Sequence, residues 1–272
     1  MTQTEIDFLL DGHSKWLEAR TRRTEEILNT YAKEQWADDK WFNEQLYAVE
    51  FPGKFLGSLE AVDLRGLNLA KRYLPEVLKD VDLSGANLFG ASFYESKLSR
   101  VKFCEANLSK ANLDETEIME ADFSKATLTE ASISNRRTSN VNFDEAKMDN
   151  SVLVKSNIEN SSFRKASLKG ANFVRAELWN VSLQEADLRG ANFQFARLSE
   201  LNSRGGVDLR GADVTGANFT NAKFNEVHIY GVIGFSVPSE GMKFGMIDFS
   251  PEGDGSDIRD GHEFFSGLTA IR

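Results

Sequence analysis

Apolar residues recur every five positions over the central part of this chain. Between Val81 and Glu200, each unit consists of a small residue, a polar residue, Leu or Phe, and two further polar residues. Of the 24 consecutive units, 23 have an apolar third residue and 23 begin with Ala, Ser, Thr or Val. Both exceptions fall in the unit that starts Arg136-Arg137-Thr138. This regularity predicts one repeated structural element rather than a succession of different ones.

A period of five fits neither of the two common secondary structures. An amphipathic helix needs apolar residues at i, i+3, i+4 and i+7, and a five-residue step would spread them around its circumference. A half-buried strand needs strict alternation. A fixed period held over 120 residues is typical of a solenoid, in which each coil stacks on the next. We therefore predict an all-β solenoid of short extended segments joined by corners.

Many of the units begin with the same three residue types. Examples are Ala86-Asn87-Leu88, Ala106-Asn107-Leu108 and Ala186-Asp187-Leu188. These units resemble the A(D/N)LXX motif of the pentapeptide-repeat proteins. The resemblance implies a right-handed quadrilateral parallel β-helix in which four units form one coil. It also implies that the central Leu or Phe and the small residue before it both point inward.

The implied coil sorts the central residues into four columns, with a step of twenty residues within each column. All seven phenylalanines among them fall in the first and third columns, which line opposite walls. They are Phe103, Phe123, Phe143 and Phe163 in the first column, and Phe93, Phe173 and Phe193 in the third. Where one wall has Leu the other generally has Phe, which keeps the core volume constant, as close packing requires. We therefore predict that these seven rings form the core.

The regular repeat lies between segments of different character. Residues 1–56 have helical spacing of apolar residues, which predicts an α-helical N-terminal region that either caps the solenoid or binds a partner. Residues 57–230 are predicted to form the β-helix, with irregular stretches at 70–80 and 199–206. The second stretch ends in paired Gly and shifts the phase by one residue, which indicates a one-residue bulge or a small loop. Residues 231–272 are predicted to be a C-terminal cap followed by a loose acidic tail.

Outward positions of a solenoid are normally polar, so outward apolar residues are candidate contacts. The third wall has five of them, namely Tyr94, Val152, Val154, Val174 and Phe195. Trp179 and Met119 form a smaller candidate group on the fourth wall. Val154 and Val174 are expected to lie in adjacent coils. We expect these residues to be covered by other parts of this chain, by another subunit or by another protein.

The net charge of −10 lies mostly outside the repeat, because residues 81–230 hold 20 acidic and 18 basic residues, a net of −2. Some proteins of the family that this chain resembles imitate duplex DNA and bind gyrase, which requires a continuous anionic surface. Residues 114–122 form one acidic cluster, but the basic residues Lys125, Arg136 and Arg137 follow it. The sequence also provides no basic face for direct binding of nucleic acid.

The sequence favours no enzymatic site. His13, His228, His262 and Cys104 lie in unrelated segments, without zinc spacing, a Gly-rich phosphate loop or a nucleophile–base pair. We therefore expect no catalytic residue, no cofactor and no metal. A single Cys fits a reducing cytoplasm. No apolar run is long enough for a membrane span, and we expect a cytoplasmic, bacterial protein.

These observations favour a non-enzymatic scaffold or adaptor that presents its β-helical surface to a protein partner. The partner is a protein of unknown identity, or a second copy of the chain in a homodimer. The alternative is a DNA-mimicking modulator of a topoisomerase (gyrase), of the quinolone-resistance type. The apolar residues of the third wall favour the first function, and a supercoiling assay separates the two.

Overall fold

The computed structural model describes five parts of the chain, which are residues 58–60, 77–134, 136–199, 206–235 and 240–261. All of them belong to the second of two units into which the chain divides, Gly57–Arg272. The predicted N-terminal helices in residues 1–56 and the last part of the tail, residues 262–272, lie outside the described residues.

The described residues form short strands joined by turns. The strands are β1 (Ser58–Glu60), β2 (Val77–Lys79), β3 (Lys97–Ser99), β4 (Glu117–Met119), β5 (Arg137–Ser139), β6 (Asn157–Glu159), β7 (Glu177–Trp179), β8 (Arg197–Ser199), β9 (Lys223–Phe224), β10 (Val227–His228), β11 (Lys243–Phe244), β12 (Met246–Asp248) and β13 (Ile258–Asp260). β1 to β9 and β11 form one parallel sheet. β10, β12 and β13 form a second, three-stranded sheet.

Residues twenty positions apart pair in parallel on all four sides of each coil. On the fourth wall Leu98 pairs with Ile118. On the other three walls the coils are joined by isolated parallel β-bridges. Asp82 pairs with Lys102, Asn87 with Asn107 and Ser92 with Asn112. We number the walls in this order, so that the first contains Asp82 and the fourth contains β3. The structure confirms the predicted parallel β-solenoid with four walls.

The corners explain why the motif has Asp or Asn before the central residue. At the first corner, the N–H of Ala86 bonds to the carbonyl of Leu83 over 3.0 Å, which closes a tight turn. The Asp82 carboxylate accepts a hydrogen bond from the N–H of Ser84 in that turn, at 3.0 Å. Asn87 does the same for Phe89. Such local hydrogen bonds are the reason that Asp and Asn favour turns.

The core contains two columns of stacked aromatic rings. On the first wall the ring centroids of Phe103 and Phe123 are 4.5 Å apart, with an angle of 12° between their planes. On the third wall Phe173 and Phe193 are 4.6 Å apart at 3°. All seven phenylalanines of the predicted core are completely buried, namely Phe93, Phe103, Phe123, Phe143, Phe163, Phe173 and Phe193. The stacks show that successive coils are separated by little more than the thickness of a ring.

Near its start the solenoid is more regular than the sequence indicates. Leu78 in β2 is fully buried and pairs with Leu98 of the next coil. The prediction of an irregular stretch over 70–80 is therefore wrong for residues 77–80. Leu78 also pairs with Leu59, a step of 78 − 59 = 19 residues. Leu64 and Leu69, the central residues of two further units in the sequence, are out of phase with Leu83 and the later units by one residue. The shortened step accounts for that difference.

The second irregularity is larger than predicted. Leu198 pairs with Phe224, a step of 224 − 198 = 26 residues, so six residues are inserted into this coil. The prediction of a one-residue bulge is therefore wrong, whereas the alternative of a small loop, and its position at 199–206, agree with the pairing. The phase of a five-residue repeat is the same after one extra residue as after six. The sequence pattern therefore fixed the shift but not the length of the insertion.

The solenoid continues past residue 230. Val227 pairs with Ile247 in parallel, and β13 then adds an antiparallel strand to β12. The segment that was predicted to be loose is held in place as far as residue 261. The N–H of Phe249 bonds to the carbonyl of Asp257, and the N–H of Gly261 bonds to that of Gly245, each over 2.9 Å. Because β13 pairs with the outer edge of β12, it covers the edge to which a further parallel coil would otherwise pair.

Candidate interaction surface

The third wall is nearly free of charged residues. Each central residue of this wall is flanked by two residues that point outward, and only Asp114 among these flanking residues is charged. In the coils that the structure describes, they are Ser92, Tyr94, Asn112, Asp114, Ser132, Ser134, Val152, Val154, Asn172, Val174, Asn192, Gln194, Asn218 and Thr220. The fourth wall has charged residues at corresponding places, such as Lys97, Glu117 and Arg137. Depletion of charge is typical of the centre of a protein interface.

The carboxylate of Asp114 is occupied within the solenoid. It accepts hydrogen bonds from the N–H of Ser134, at 2.8 Å, and from the hydroxyl of Ser132. Both donors lie in the next coil. Ser132 stands where other units have Asn or Asp, and Asp114 replaces the turn acceptor that Ser132 lacks. The one charge on this wall is therefore part of the turn structure.

The outward valines lie together in two adjacent coils. Val152 and Val154 flank the buried Leu153, and both are half-buried. The N–H of Lys155 donates to the carbonyl of Val174 at 3.0 Å, which places Val174 one coil above Val154. Tyr94 occupies the same position as Val154 but three coils earlier. The structure thus brings together the three valines and leaves Tyr94 at a distance.

Aromatic and arginine side chains meet at the corner between the third and fourth walls and on the fourth wall itself. The ring of Phe195 is 50% exposed, and the Arg175 guanidinium lies 5.8 Å from its centroid. The Arg197 guanidinium lies 5.5 Å from the Trp179 ring and 3.3 Å from the Glu177 carboxylate. Trp and Arg are the residue types most enriched at the energetic centres of interfaces.

Met119 is not part of this group of aromatic and arginine side chains. It lies in β4, three coils before Trp179 of β7, with Ser139 and Glu159 between them in the register. Arg175, Arg197 and Lys155, which were not predicted, lie beside the apolar residues instead. Sequence reasoning missed them because it searched the outward positions for apolar residues only. The sequence does contain a signal for two of them, because Lys155 and Arg175 are twenty residues apart and therefore occupy the same position in adjacent coils.

The acidic cluster at residues 114–122 does not form a free anionic surface. Asp122 accepts a hydrogen bond from the N–H of Ser124 at 2.9 Å, as the motif requires. Glu115 lies 3.4 Å from Arg136 of the next coil. Together with Asp114, three of the five acids in the cluster thus have partners inside the solenoid. This arrangement differs from the continuous anionic surface that a DNA mimic presents to a basic groove.

His228 makes a contact that the sequence did not predict. Its Nδ1 lies 2.7 Å from Oδ2 of Asp248, one coil later. The Ser250 N–H and hydroxyl both donate to the other carboxylate oxygen, at 2.8 and 2.6 Å. Asp248 is only 3% exposed. The contact fastens the segment after β12 to the side of the solenoid.

The other reactive side chain lies far from this contact. Cys104 is half-buried in the second coil, and burial raises the pKa of its thiol. In the parts of the chain that the structure describes, no group of three or more His, Cys, Asp or Glu residues is placed to bind a metal ion. Those parts also contain no helix with the length and hydropathy needed to cross a membrane.

Two family models match the chain over the solenoid. The one described as "Pentapeptide repeat region" matches residues 156–232. The one described as "Pentapeptide repeats (8 copies)" matches residues 77–103 and 96–135. A search of curated proteins found no matching relative.

Solved structures of the same repeat type resemble this chain at low sequence identity. HetL, a pentapeptide repeat protein involved in heterocyst differentiation regulation in the cyanobacterium Nostoc, is 22% identical, and the match covers 78% of this chain and 98% of HetL with a TM-score of 0.36. QnrB1, a plasmid-mediated fluoroquinolone resistance protein, is 15% identical over 79% of this chain and 99% of its own, with a TM-score of 0.33. A pentapeptide repeat protein of the Arabidopsis thaliana thylakoid lumen is 25% identical over 47% of this chain and 70% of its own, with a TM-score of 0.20.

Proposed function

This chain belongs to the pentapeptide-repeat family, and from that premise we propose that it is a non-enzymatic scaffold that binds a protein partner through its third wall. The surface consists of Val152, Val154 and Val174, together with Phe195 at the adjoining corner and Trp179 on the fourth wall. The walls of the solenoid are rigid because every coil is bonded to the next on four sides. A rigid surface loses little conformational entropy when it binds, which favours recognition.

The observation that carries the proposal is the near absence of charge at the outward positions of the third wall itself, with the cations Lys155 and Arg175 confined to its adjoining corner. Surface positions on a protein with 27% charged residues are normally rich in ions. On the third wall only Asp114 is charged among the described flanking positions, and its carboxylate is hydrogen-bonded to Ser132 and Ser134. Burying this wall against a partner would therefore desolvate few ions, and desolvation of ions is the main cost of a polar interface.

The neighbouring corner supplies the side chains that a binding surface needs around an apolar centre. Phe195 is half exposed, and Arg175 and Arg197 each lie against an aromatic ring. Guanidinium groups stacked on rings remain available for hydrogen bonds at their edges. An apolar wall bordered by aromatic and arginine residues has the composition of a protein interface rather than of a nucleic-acid or membrane surface.

Affinity purification from the native source tests this function. The full chain is compared with the double variant Val154→Glu/Val174→Glu and with the matched control Ser109→Glu/Thr129→Glu. The control residues hold the same positions on the second wall, since the N–H of Lys110 bonds to the carbonyl of Thr129. We expect the control to retain the partner and the valine variant to lose it. Equal recovery with both variants would reject the third wall as the binding surface.

A further inference from the structure

We infer that the partner places an amphipathic α-helix with acidic residues along one edge onto the corner of Lys155, Arg175 and Phe195. This inference rests on the proposed function and specifies the chemistry of the partner. The helix would lie along the solenoid axis, with its apolar side on Val154, Val174 and Phe195. Its carboxylates would pair with Lys155 and Arg175.

Lys155, Arg175 and Phe195 occupy the same turn position in three successive coils. Each has a positive φ, of 56°, 59° and 60°, and each lies in the turn that leads from the third wall to the fourth. The N–H of Lys155 bonds to the carbonyl of Val174, and the N–H of Arg175 to that of Gln194. The three side chains therefore form a row parallel to the axis, in the order cation, cation, aromatic ring.

The two cations of the row have no acidic partner in the part of the chain that the structure describes. Within the described residues, neither Lys155 nor Arg175 forms an ion pair, and both are exposed. The nearby carboxylates are occupied, because Glu115 pairs with Arg136, Glu159 with Arg137 and Glu177 with Arg197. Among the described residues, this corner consequently carries two positive charges without a pairing carboxylate.

Another corner of the solenoid shows the usual arrangement. Between the first and second walls, Lys165 lies 3.6 Å from Glu185 of the next coil, and residues of alternating sign precede them at the same step. Like charges in adjacent coils repel each other, so the Lys155–Arg175 pair is unfavourable in the isolated chain. Two carboxylates from a partner would remove that repulsion as well as form two ion pairs.

The spacing of the row fits a helix better than an extended strand. The stacked rings report the step between coils, from 4.5 Å for Phe103 and Phe123 to 5.0 Å for Phe123 and Phe143. Residues three apart in an α-helix rise about 4.5 Å and residues seven apart about 10.5 Å, and all of them lie on one face. The first rise matches one step between coils and the second matches two steps, each to within about 1.5 Å. Same-face residues of a strand are about 6.7 Å apart and lose register by the third coil.

Phe195, Val154 and Val174 determine where the proposed helix should have apolar residues. The exposed ring of Phe195 ends the row, so the residue seven positions after the first acid should be apolar. Val154 and Val174 lie on the third wall beside Lys155 and Arg175. The apolar stripe of the helix should therefore face this wall, with acidic residues along the edge that faces the corner.

A designed peptide tests this inference with the full chain. The probe is a fluorescein-labelled, alanine-based helical peptide of three heptads, with Leu on one stripe and Glu at i and i+3 on its edge. The comparison peptides have Gln in place of Glu, or the same composition with the Glu residues on the opposite side. Fluorescence anisotropy at low salt should show binding that weakens about tenfold with each comparison peptide and with added salt.

The matching protein variant is Lys155→Gln/Arg175→Gln, and its control is Lys125→Gln/Lys165→Gln. The control lysines hold the same turn position on another corner, with φ of 57° in both. We expect the first variant to lose about tenfold in affinity for the Glu peptide and the control to bind as the natural chain does. Circular dichroism and thermal unfolding establish that both variants are folded.

Three results would overturn the inference. They are no binding of the Glu peptide, equal binding of the Glu and Gln peptides, and equal binding by the natural chain and the Lys155→Gln/Arg175→Gln variant. No binding would include the case in which another segment of this chain, or a second copy, already covers the corner. If partner capture still depends on Val154 and Val174 while the peptide fails, the proposed scaffold function stands and the acidic helix is rejected.

Discussion

Nδ1 of His228 lies 2.7 Å from Oδ2 of Asp248, and this contact fixes the last described turn of the chain to the solenoid. The same carboxylate receives the N–H of Gly255 at 3.2 Å. Arg210, from the coil before, donates to the carbonyl of Pro251 at 3.0 Å. The segment from 249 to 257 is thus held by residues of three successive coils.

Acid should release this segment before the coils unfold. Burial would raise the pKa of Asp248, but hydrogen bonds from Ser250, Gly255 and His228 outweigh it, so its pKa lies below the ordinary 3.8. The ionised carboxylate therefore contributes stability above pH 3.8, which is lost as the pH falls through the lowered pKa of the folded state. Hydrogen exchange of residues 249–257 should accelerate below pH 3.8, relative to residues 97–134.

At neutral pH the variant His228→Ala should loosen the same segment. Removing the imidazole leaves Oδ2 of the buried Asp248 with only the 3.2 Å hydrogen bond from the N–H of Gly255, and the loss of the shorter bond costs about 1–3 kcal/mol. We expect faster hydrogen exchange at 249–257 and no change in the regular coils. The control is Glu252→Gln, an exposed residue of the same segment. Equal exchange in His228→Ala and the natural chain would contradict the role of this contact.

The hydroxyl of Ser151 should be a source of instability. It is buried and makes no hydrogen bond, whereas the hydroxyl of Ser156 donates to the carbonyl of Leu153. Ser151→Ala should raise the free energy of unfolding by about 1–2 kcal/mol, and Ser156→Ala should lower it by about 1 kcal/mol. Urea unfolding of both variants measures the difference. Changes of the same sign in both would contradict this account of the two hydroxyls.

The opposite walls of a coil should compensate for each other in volume. Phe143 stacks on Phe123 at 5.0 Å and on Phe163 at 4.6 Å, and the opposite residue in its coil is Leu153. Phe143→Leu leaves a void and Leu153→Phe overpacks the core, each costing about 1–3 kcal/mol. In the double variant the added ring fills part of the void. We expect unfolding measurements to show a cost at least about 1 kcal/mol below the sum, and simple additivity would contradict the compensation.

Asp114 should matter for stability rather than for binding to a topoisomerase. Asp114→Ala removes the acceptor for Ser134 N–H, whose residue is only 6% exposed, and should cost about 1–2 kcal/mol. The exposed Glu120→Gln should change stability by less than about 0.5 kcal/mol. The natural chain at micromolar concentration should leave DNA supercoiling by gyrase unchanged. Inhibition or protection in that assay, lost in Glu120→Gln, would restore the DNA-mimic alternative.

The repeat made the solenoid predictable because each unit carries the same information. The column of Phe103, Phe123 and Phe143 follows from the sequence once the coil has twenty residues. The length of the insertion after Leu198 did not follow, because one and six extra residues give the same phase. The contact of His228 with Asp248 joins a repeat position to a segment beyond the repeat, so no periodic signal pointed to it.

The candidate surface was predictable in part for the same reason. Val154 and Val174 differ by twenty residues, so their stacking can be read from the sequence. The distance of Tyr94 from the valines also follows from the coil length, because Tyr94 lies three coils before Val154. Grouping all outward apolar residues of one wall ignored that distance. The sequence could not show that the cations at 155 and 175 lack an ion pair among the described residues. That depends on which carboxylates pair with other cations, and those pairs depend on side-chain geometry.

Site-specific photo-crosslinking in the native host tests the central claim most directly. A photoreactive phenylalanine analogue is placed at position 154 or 174 of the third wall, or at position 109 or 129 of the second. We expect the same partner protein to be crosslinked from both third-wall positions and from neither second-wall position. Crosslinks of equal yield from the two walls, or from the second wall alone, would contradict the assignment of the third wall as the binding surface.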